Sequence, residues 1–467
     1  MQNKFIHKNY YLQSTLAEEL YHSYAKELPA VDFHNHLNPK DLADNKKFLN
    51  IEQAWVSNDP YKHRAMRIYG VKENNITGNA SDEEKFQNWA NTLPKALGNP
   101  LFLWSALELY HIFGIDEFLS NANATEIWNE CNYCLQQDGY GTIDILKKFN
   151  VESLCTSDDL ITDLTYHQQA TKNQGIQVLP SLRADSILAF DDISFQKWFE
   201  NLEKISNQSI SNLNDYKTAL IKLLQKFSDA GCRLADHALD NGFIFNVNDE
   251  INASRIFSKW LRTRKIDTGE VLELKNHLLF FLVKQYAERE WVLQLHIGAQ
   301  RYTSSRLRRL AGKAGGFASI GNGSDIKSLC VFFDELEKQN HLPKVILYNL
   351  NPADTEMLAA ITGSYAEDGI AGKIQLGPAW WYNDQYDGIR KQLAALANYS
   401  LLSQFIGMTT DSRSVFSFSR HEYFRRILCN QLAEWVSQGN LPNDIQLLSE
   451  LVKDLCYYNC KKRIFNE

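Results

Sequence analysis

Apolar residues recur along this chain in two alternating spacings. Eight short runs are dense in β-branched and aromatic residues, and nearly all of them end on a polar or charged side chain. In order they are AVDFHNH (30–36), VESLCTSDD (151–159), IQVLPSLRAD (176–185), CRLADHALD (232–240), WVLQLHIGA (291–299), KVILYNLNP (344–352), GKIQLGPAWW (372–381) and QFIGMTTDSR (404–413). Between most of them the apolar positions fall at helical spacing, as in NDYKTALIKLLQKFSDAG and LELKNHLLFFLVKQYAERE. Strand alternating with helix eight times predicts an α/β fold closed as a (β/α)8 TIM-like barrel. An open doubly wound sheet would also carry its chemistry at strand ends, but no G-x-G-x-x-G follows the first strand.

One interval breaks the rhythm. Residues 37–150 separate the first strand from the second, where a β-to-β unit needs about 30 residues. Within them NIEQAWVSNDPYKHRAMRIYG and LFLWSALELYHIFGI read as helices with an apolar face. The predicted organisation is therefore an N-terminal segment with the first barrel strand (1–36), a helical insertion folded over the barrel mouth (37–150), and the rest of the barrel with C-terminal helices (151–467). RYTSSRLRRLAGKAGGFASIGNGSD (301–325), rich in Gly and Ser, reads as a mobile active-site loop.

Composition narrows the partners. The 467 residues, 44% of them hydrophobic, suffice for a large core, and the net charge of −7 argues against a basic nucleic-acid-binding surface. An acidic substrate would then need local arginines. The leading MQNKFIHKNYYLQ lacks the apolar stretch of a secretory signal and no segment is long enough to span a bilayer, so the expectation is a cytoplasmic protein without membrane contact. Eight cysteines are too sparse for a disulfide framework, and Cys131 and Cys134 lie at helical spacing with no second pair to complete a zinc site.

The chemistry collects where a barrel carries it, at the carboxyl ends of the strands: His34, His36, Asp158, Arg183, Asp236, His237, His296, Asn349, Trp380 and Asp411. Positions i and i+2 of a strand face the same way, so His34 and His36 can meet on one metal ion. With His296 and Asp411 they offer three nitrogens and one oxygen, a set that suits one divalent ion, Zn2+ or alternatively Mn2+. A two-ion site is disfavoured: the fourth strand ends in ADHALD without lysine and the sixth in YNLNP without histidine. Asp236 and His237 are then substrate contacts or supports of the ligands, unless they form a self-satisfied buried pair. Arg183 and Arg413 suit a planar carboxylate, and Trp380 with Trp381 a flat apolar wall or a packing face. In the insertion Tyr61 can bring a hydroxyl to the mouth as a proton donor. The other charges of YKHR and SRHEYFRR, among them His63, Arg64, Arg420, His421 and Glu422, read as solvated helix faces.

VDFHNHL, YKHRAMR, PSLRAD, ADHAL, QLHIGA, GPAWWYND and TTDSRSVFSFSRHEYFRR, in that order across most of the chain, resemble the uronate (glucuronate) isomerase family of the amidohydrolase superfamily, metal-dependent barrels. The resemblance implies interconversion of D-glucuronate with D-fructuronate and of D-galacturonate with D-tagaturonate, in hexuronate catabolism. It implies His34, His36 and Asp411 as metal ligands with His296 at or near the metal, Arg183 and Arg413 on the uronic acid, and Tyr61 in proton transfer, with His36 as its partner. Asp411 would assist ring opening. His63 stands where relatives carry an aromatic residue, and homo-oligomers are the default for barrels of this kind. The rival from the same superfamily is a mononuclear hydrolase acting on an anionic substrate through a metal-bound hydroxide.

Overall fold

The first strand, β1 (Ala30–Asn35), is buried along its whole length, as a parallel strand must be when both faces of its sheet are covered. It opens a sheet of seven parallel strands continued by β2 (Val151–Asp159), β3 (Gln177–Arg183), β4 (Leu234–Leu239), β5 (Val292–Ile297), β6 (Val345–Asn349) and β7 (Ile374–Leu376). Spatial order follows chain order, and register aligns Ala238 with His296 and His296 with Tyr348. The computed structural model describes residues 5–240, 243–247 and 249–465; the first four residues of the leading stretch lie outside it.

The eighth run, QFIGMTTDSR, is not a regular strand, which corrects the expectation of eight. It runs extended between the two ends of the curled sheet and completes the barrel by other bonds. Toward β1, His36 N donates to Ser412 O (2.8 Å) and Asp411 N to His34 O (3.0 Å). Asp32, fully buried beneath them, accepts from Thr409 Oγ1 (2.6 Å) and Thr410 N (3.0 Å). Toward β7, the Gln375 amide bridges, its Nε2 donating to Gln404 O (2.5 Å) and its Oε1 accepting from Ile406 N (3.1 Å). Side chains take the place of ladder bonds because β7 is only three residues long. Gly407 (φ +97°) lets the segment pass the Leu455 carbonyl, which a Cβ would approach to 2.5 Å.

Between β1 and β2 lie seven α-helices among the described residues. The third, Pro60–Ile68, has Pro60 in its first turn and Asp59 as N-cap, whose carboxylate accepts from the Tyr61 and Lys62 amides. Lys62 is itself buried over the Trp55 and Trp89 rings and paired with Asp59 at 2.6 Å, so the start of this helix is fixed in place. Residues 301–325, read as a mobile loop, include the helix Ser305–Ala311 and a short antiparallel pairing of Ser319–Ile320 with Ala299–Gln300.

A second correction concerns SRHEYFRR. It opens the helix Ser419–Ser437, and Arg420, His421, Arg425 and Arg426 are all buried rather than solvated; His63 is buried too. The arginines satisfy backbone carbonyls that the N-terminal segment leaves free: Arg425 donates to Ala25, Leu28 and Pro29, and Arg426 to Lys8 and Tyr10. All eight cysteines are free, and Cys131 packs in the core from the helix Ala124–Gln136. No helix among the described residues is long and apolar enough to cross a membrane.

Candidate active site

Where the barrel closes, His34 and His36 meet Asp411. The two Nε2 atoms stand 3.5 and 2.9 Å from the same carboxylate oxygen, Oδ1. The other oxygen, Oδ2, accepts from Trp380 Nε1 at 2.9 Å. Asp411 reaches this position with φ +49°, a left-handed conformation that costs a non-glycine residue of the order of 1 kcal/mol and that the flanking seam bonds hold in place. Trp380, expected as a candidate sugar wall, is mostly buried and orients Asp411; its partly exposed neighbour Trp381 faces the cavity.

His34 also belongs to a second cluster, with Asp236 and His296. The four expected ligands therefore do not gather as one set: His34, His36 and Asp411 offer ligand atoms within 4.8 Å of one another, and so separately do His34, Asp236 and His296. The His34 and His296 rings lie 4.8 Å apart, and His296 stacks on Tyr348 at 4.3 Å. Three buried atoms here have no hydrogen-bond partner: His34 Nδ1, Asp236 Oδ1 and His296 Nε2. Such orphans are costly unless something pairs with them.

Electrostatics sort the groups. Burial pushes His36 down to about 3, against the pull of Asp411, and carries His296 well below its ordinary value. For His34 burial acts the same way, but the carboxylates of Asp411 and Asp236 prevail and raise it. Burial would lift Asp411, yet hydrogen bonding to His34 and His36 holds it well below the usual carboxylate range. The lowered imidazoles of His36 and His296, an ionised Asp411 and the orphaned donor atoms fit a divalent cation.

Around this cluster opens a cavity of about 1350 Å³, bordered by His34, His36, Tyr61, Arg183, Asp411 and Arg413 among others. Arg183 is already engaged, its Nη2 at 2.8 Å from Asp185 Oδ2 and its Nη1 at 3.6 Å from Asp236 Oδ1. Arg413 is exposed to the cavity and carries no ion pair among the described residues. Asp236 is fully buried and accepts from Ser157 Oγ at 3.1 Å. His237, on the opposite face of β4, places its Nε2 3.0 Å from Tyr286 Oη on the outer helix Thr268–Ala287, and borders the cavity as well. Two strand-end residues stay outside the site: Asp158 pairs with His167 at 3.1 Å, and Asn349 Nδ2 donates to Asn351 O at 3.0 Å.

Several residues at the cavity were not singled out from the sequence. Asp185 fixes Arg183, and Arg301 approaches the Trp381 ring (5.6 Å) while donating to Asp240 (2.9 Å). Away from the cavity, Asp32, also not singled out, pairs at 3.3 Å with His421, which was read as part of a solvated face, and the two support the seam below Asp411. Asp185 ends PSLRAD and was legible as an acid beside an arginine; Arg301 lay inside a stretch read as loop.

Fold and site together define an α/β barrel with a candidate metal site, its His/Asp cluster at the carboxyl ends of parallel strands and arginines at its rim. The glucuronate isomerase family model matches residues 1–465, and the chain belongs to that family. It is 43% identical over 461 residues to the uronate isomerase of Caldicellulosiruptor saccharolyticus, covering 98% of this chain and 99% of that one. It is 41% identical over 461 residues to the uronate isomerase of Oceanobacillus iheyensis, covering 98% of each. The crystal structure of uronate isomerase from Thermotoga maritima superposes with a TM-score of 0.92 at 32% identity, over 99% of this chain and 100% of that one.

Proposed function

We propose that this isomerase interconverts D-glucuronate with D-fructuronate, and D-galacturonate with D-tagaturonate, on one divalent ion held by His34, His36 and Asp411. What supports the reading is one juxtaposition: a free, cavity-facing Arg413 two residues beyond the carboxylate of Asp411, which His34 and His36 share. A sugar acid needs both, a cation for its carboxylate and polarising groups for its carbonyl end. Zn2+ suits the donor set, and Mn2+ is the alternative. When bound, the ion polarises the C1 carbonyl or C2 hydroxyl and lowers the cost of the enediolate.

The chain's own residues do the rest. Arg413 forms two parallel hydrogen bonds to the C6 carboxylate, and Arg183, steadied by Asp185 and Asp236, adds positive charge beside it. Asp411 takes the proton of the anomeric hydroxyl and returns it to the ring oxygen, opening the sugar without net proton loss. Tyr61 carries the isomerising proton: once its phenolic proton has passed to solvent, C2–H breaks as its O–H forms and that O–H breaks as C1–H forms, while the C2 hydroxyl proton moves to O1. His36, neutral at working pH, steadies Asp411 and the reacting end of the sugar.

Metal-replete protein given either uronate, with the aldose and ketose resolved by NMR, tests this. Turnover that collapses in His34→Ala and Tyr61→Phe supports it. Retained metal with no turnover of either sugar would move the mononuclear hydrolase to the front, and near-normal turnover in Tyr61→Phe would remove that residue from the scheme.

A further inference from the structure

Tyr61 borders more than the main cavity. Beside it lies a chamber of about 20 Å³ that it shares with Trp104, Asp411, Arg413, Ser417 and Arg420. A volume of that size holds one water, provided polar groups surround it. Three buried charged groups border it, Lys62, Glu108 and Arg420; Lys62 is paired with Asp59 and Glu108, and Arg420, 3% exposed, lies in the first turn of the helix Ser419–Ser437.

Its surroundings fix its guanidinium. Nη1 donates to Asp384 Oδ2 at 2.8 Å, and Asp384 is buried as well. The guanidinium lies over the Trp104 ring at 4.8 Å, and that ring meets Tyr61 edge-on at 6.0 Å. Nε has no partner among the protein atoms. Fold stability gives little reason for this arrangement: a buried ion pair seldom gains over apolar packing, and an unpaired buried N–H is a direct cost.

The proton transfer supplies a reason. Before it takes the C2 proton, and again after giving it to C1, the Tyr61 oxygen carries negative charge. Arg413 is then occupied by the substrate carboxylate and Arg183 by Asp185 and Asp236. We propose that Arg420, anchored by Asp384 and Trp104, is a positioning residue for Tyr61, presenting a fixed cation to the phenolate and one water to its oxygen through the small chamber. The inference rests on the reading of Tyr61 as the proton carrier. Burial, with Asp411, Asp384 and Asp59, holds the Tyr61 hydroxyl well above its ordinary value, and Arg420 is the largest influence in the opposite direction, toward the phenolate. Arg413 also faces Tyr61.

The test compares Arg420→Gln, Arg420→Lys, Asp384→Asn and Tyr61→Phe in the metal-loaded enzyme, using glucuronate and its C2-deuterated form. In Arg420→Gln, kcat is expected to fall about 100-fold with KM within about threefold and metal content unchanged, while the deuterium isotope effect rises as proton transfer becomes limiting. Arg420→Lys recovers about tenfold of the loss, Asp384→Asn falls between, and Arg420→Gln adds nothing in the Tyr61→Phe background. If Tyr61→Phe is inactive but Arg420→Gln turns over within about threefold of the parent, the inference fails while the Tyr61 reading stands. If Tyr61→Phe is active, the Tyr61 reading itself fails and this inference with it. Loss of metal or of folding in Arg420→Gln, together with a normal isotope effect in Arg420→Lys and Asp384→Asn, would make Arg420 a structural ion only and overturn the proposal.

Discussion

His36 and Asp411 are joined twice across the seam of the barrel, by side chains at 2.9 Å and by adjoining main-chain bonds, with His36 N donating to Ser412 and Asp411 N to His34. Histidine and carboxylate are therefore set by the same bonds that close the fold. The next closest carboxylate, Asp236 on β4 beside His296 on the neighbouring β5, lies farther off, at 4.0 Å.

From this asymmetry follows a ranking of the ligands. His36→Ala and Asp411→Asn should each lose bound metal on dialysis and drop kcat/KM by about 1000-fold or more, whereas His296→Ala should keep most of its metal. Metal content by elemental analysis beside steady-state rates checks it. Metal lost from His296→Ala and kept by His36→Ala would assign the ion to the His34, Asp236 and His296 cluster instead.

The two arginines should part in their effects. Arg413→Met removes a contact to substrate and leaves no protein partner behind, so KM should rise about 100-fold with an unchanged melting temperature. Arg183→Met strips Asp185 and Asp236 of their cation, and Asp236 is fully buried. A stability loss of about 3 kcal/mol is expected there, measured by denaturant unfolding.

Sequence and structure agree on the place of β1 to β7, whose ends differ from the apolar runs by at most five residues, because buried parallel strands must be apolar throughout. The same signal misassigned the eighth run. Apolarity in QFIGMTT reports burial, not ladder bonding, and burial is all that the segment shares with a strand. The charged helix SRHEYFRR misled in the opposite way: its arginines are buried because the carbonyls they satisfy, in residues 8–29, lie hundreds of positions away, and no local pattern records such a partner. The division of His34, His36, His296 and Asp411 into overlapping clusters is likewise set by barrel curvature, which spacing along the chain does not encode.

Glu422 gives a pH-dependent case. It accepts from Tyr10 Oη (2.9 Å) and Arg426 Nε (2.8 Å), and its other oxygen lies 2.7 Å from His111 Nε2. Burial alone would raise it, but His111 and Arg426 bring it down to about 2, from an ordinary 4.5. A depressed carboxylate stabilises the fold above its unfolded value and ceases to as pH falls through its folded one. Glu422→Gln should thus cost about 2 kcal/mol at pH 7, with the gap to the parent shrinking between pH 4.5 and pH 2, as followed by urea midpoints.

Asp32 provides the last. Asp32→Asn keeps its size but weakens the charge-assisted bonds from Thr409, Thr410 and His421. Stability should fall by about 2 kcal/mol, and turnover should fall although Asp32 touches no substrate. Unchanged turnover in a destabilised variant would show that the seam can loosen without moving Asp411.

A barrel closed by backbone ladders tolerates almost any apolar side chain at its joint, since the bonding groups are the same for every residue. Here the joint is written in side chains, in Asp32, Thr409 and Gln375, and it ends on Asp411, the carboxylate to which we assign the chemistry. Such positions answer to two masters at once. A mutation there is judged by folding and by catalysis together, so a substitution at the seam has two ways to fail where most positions in the core have one.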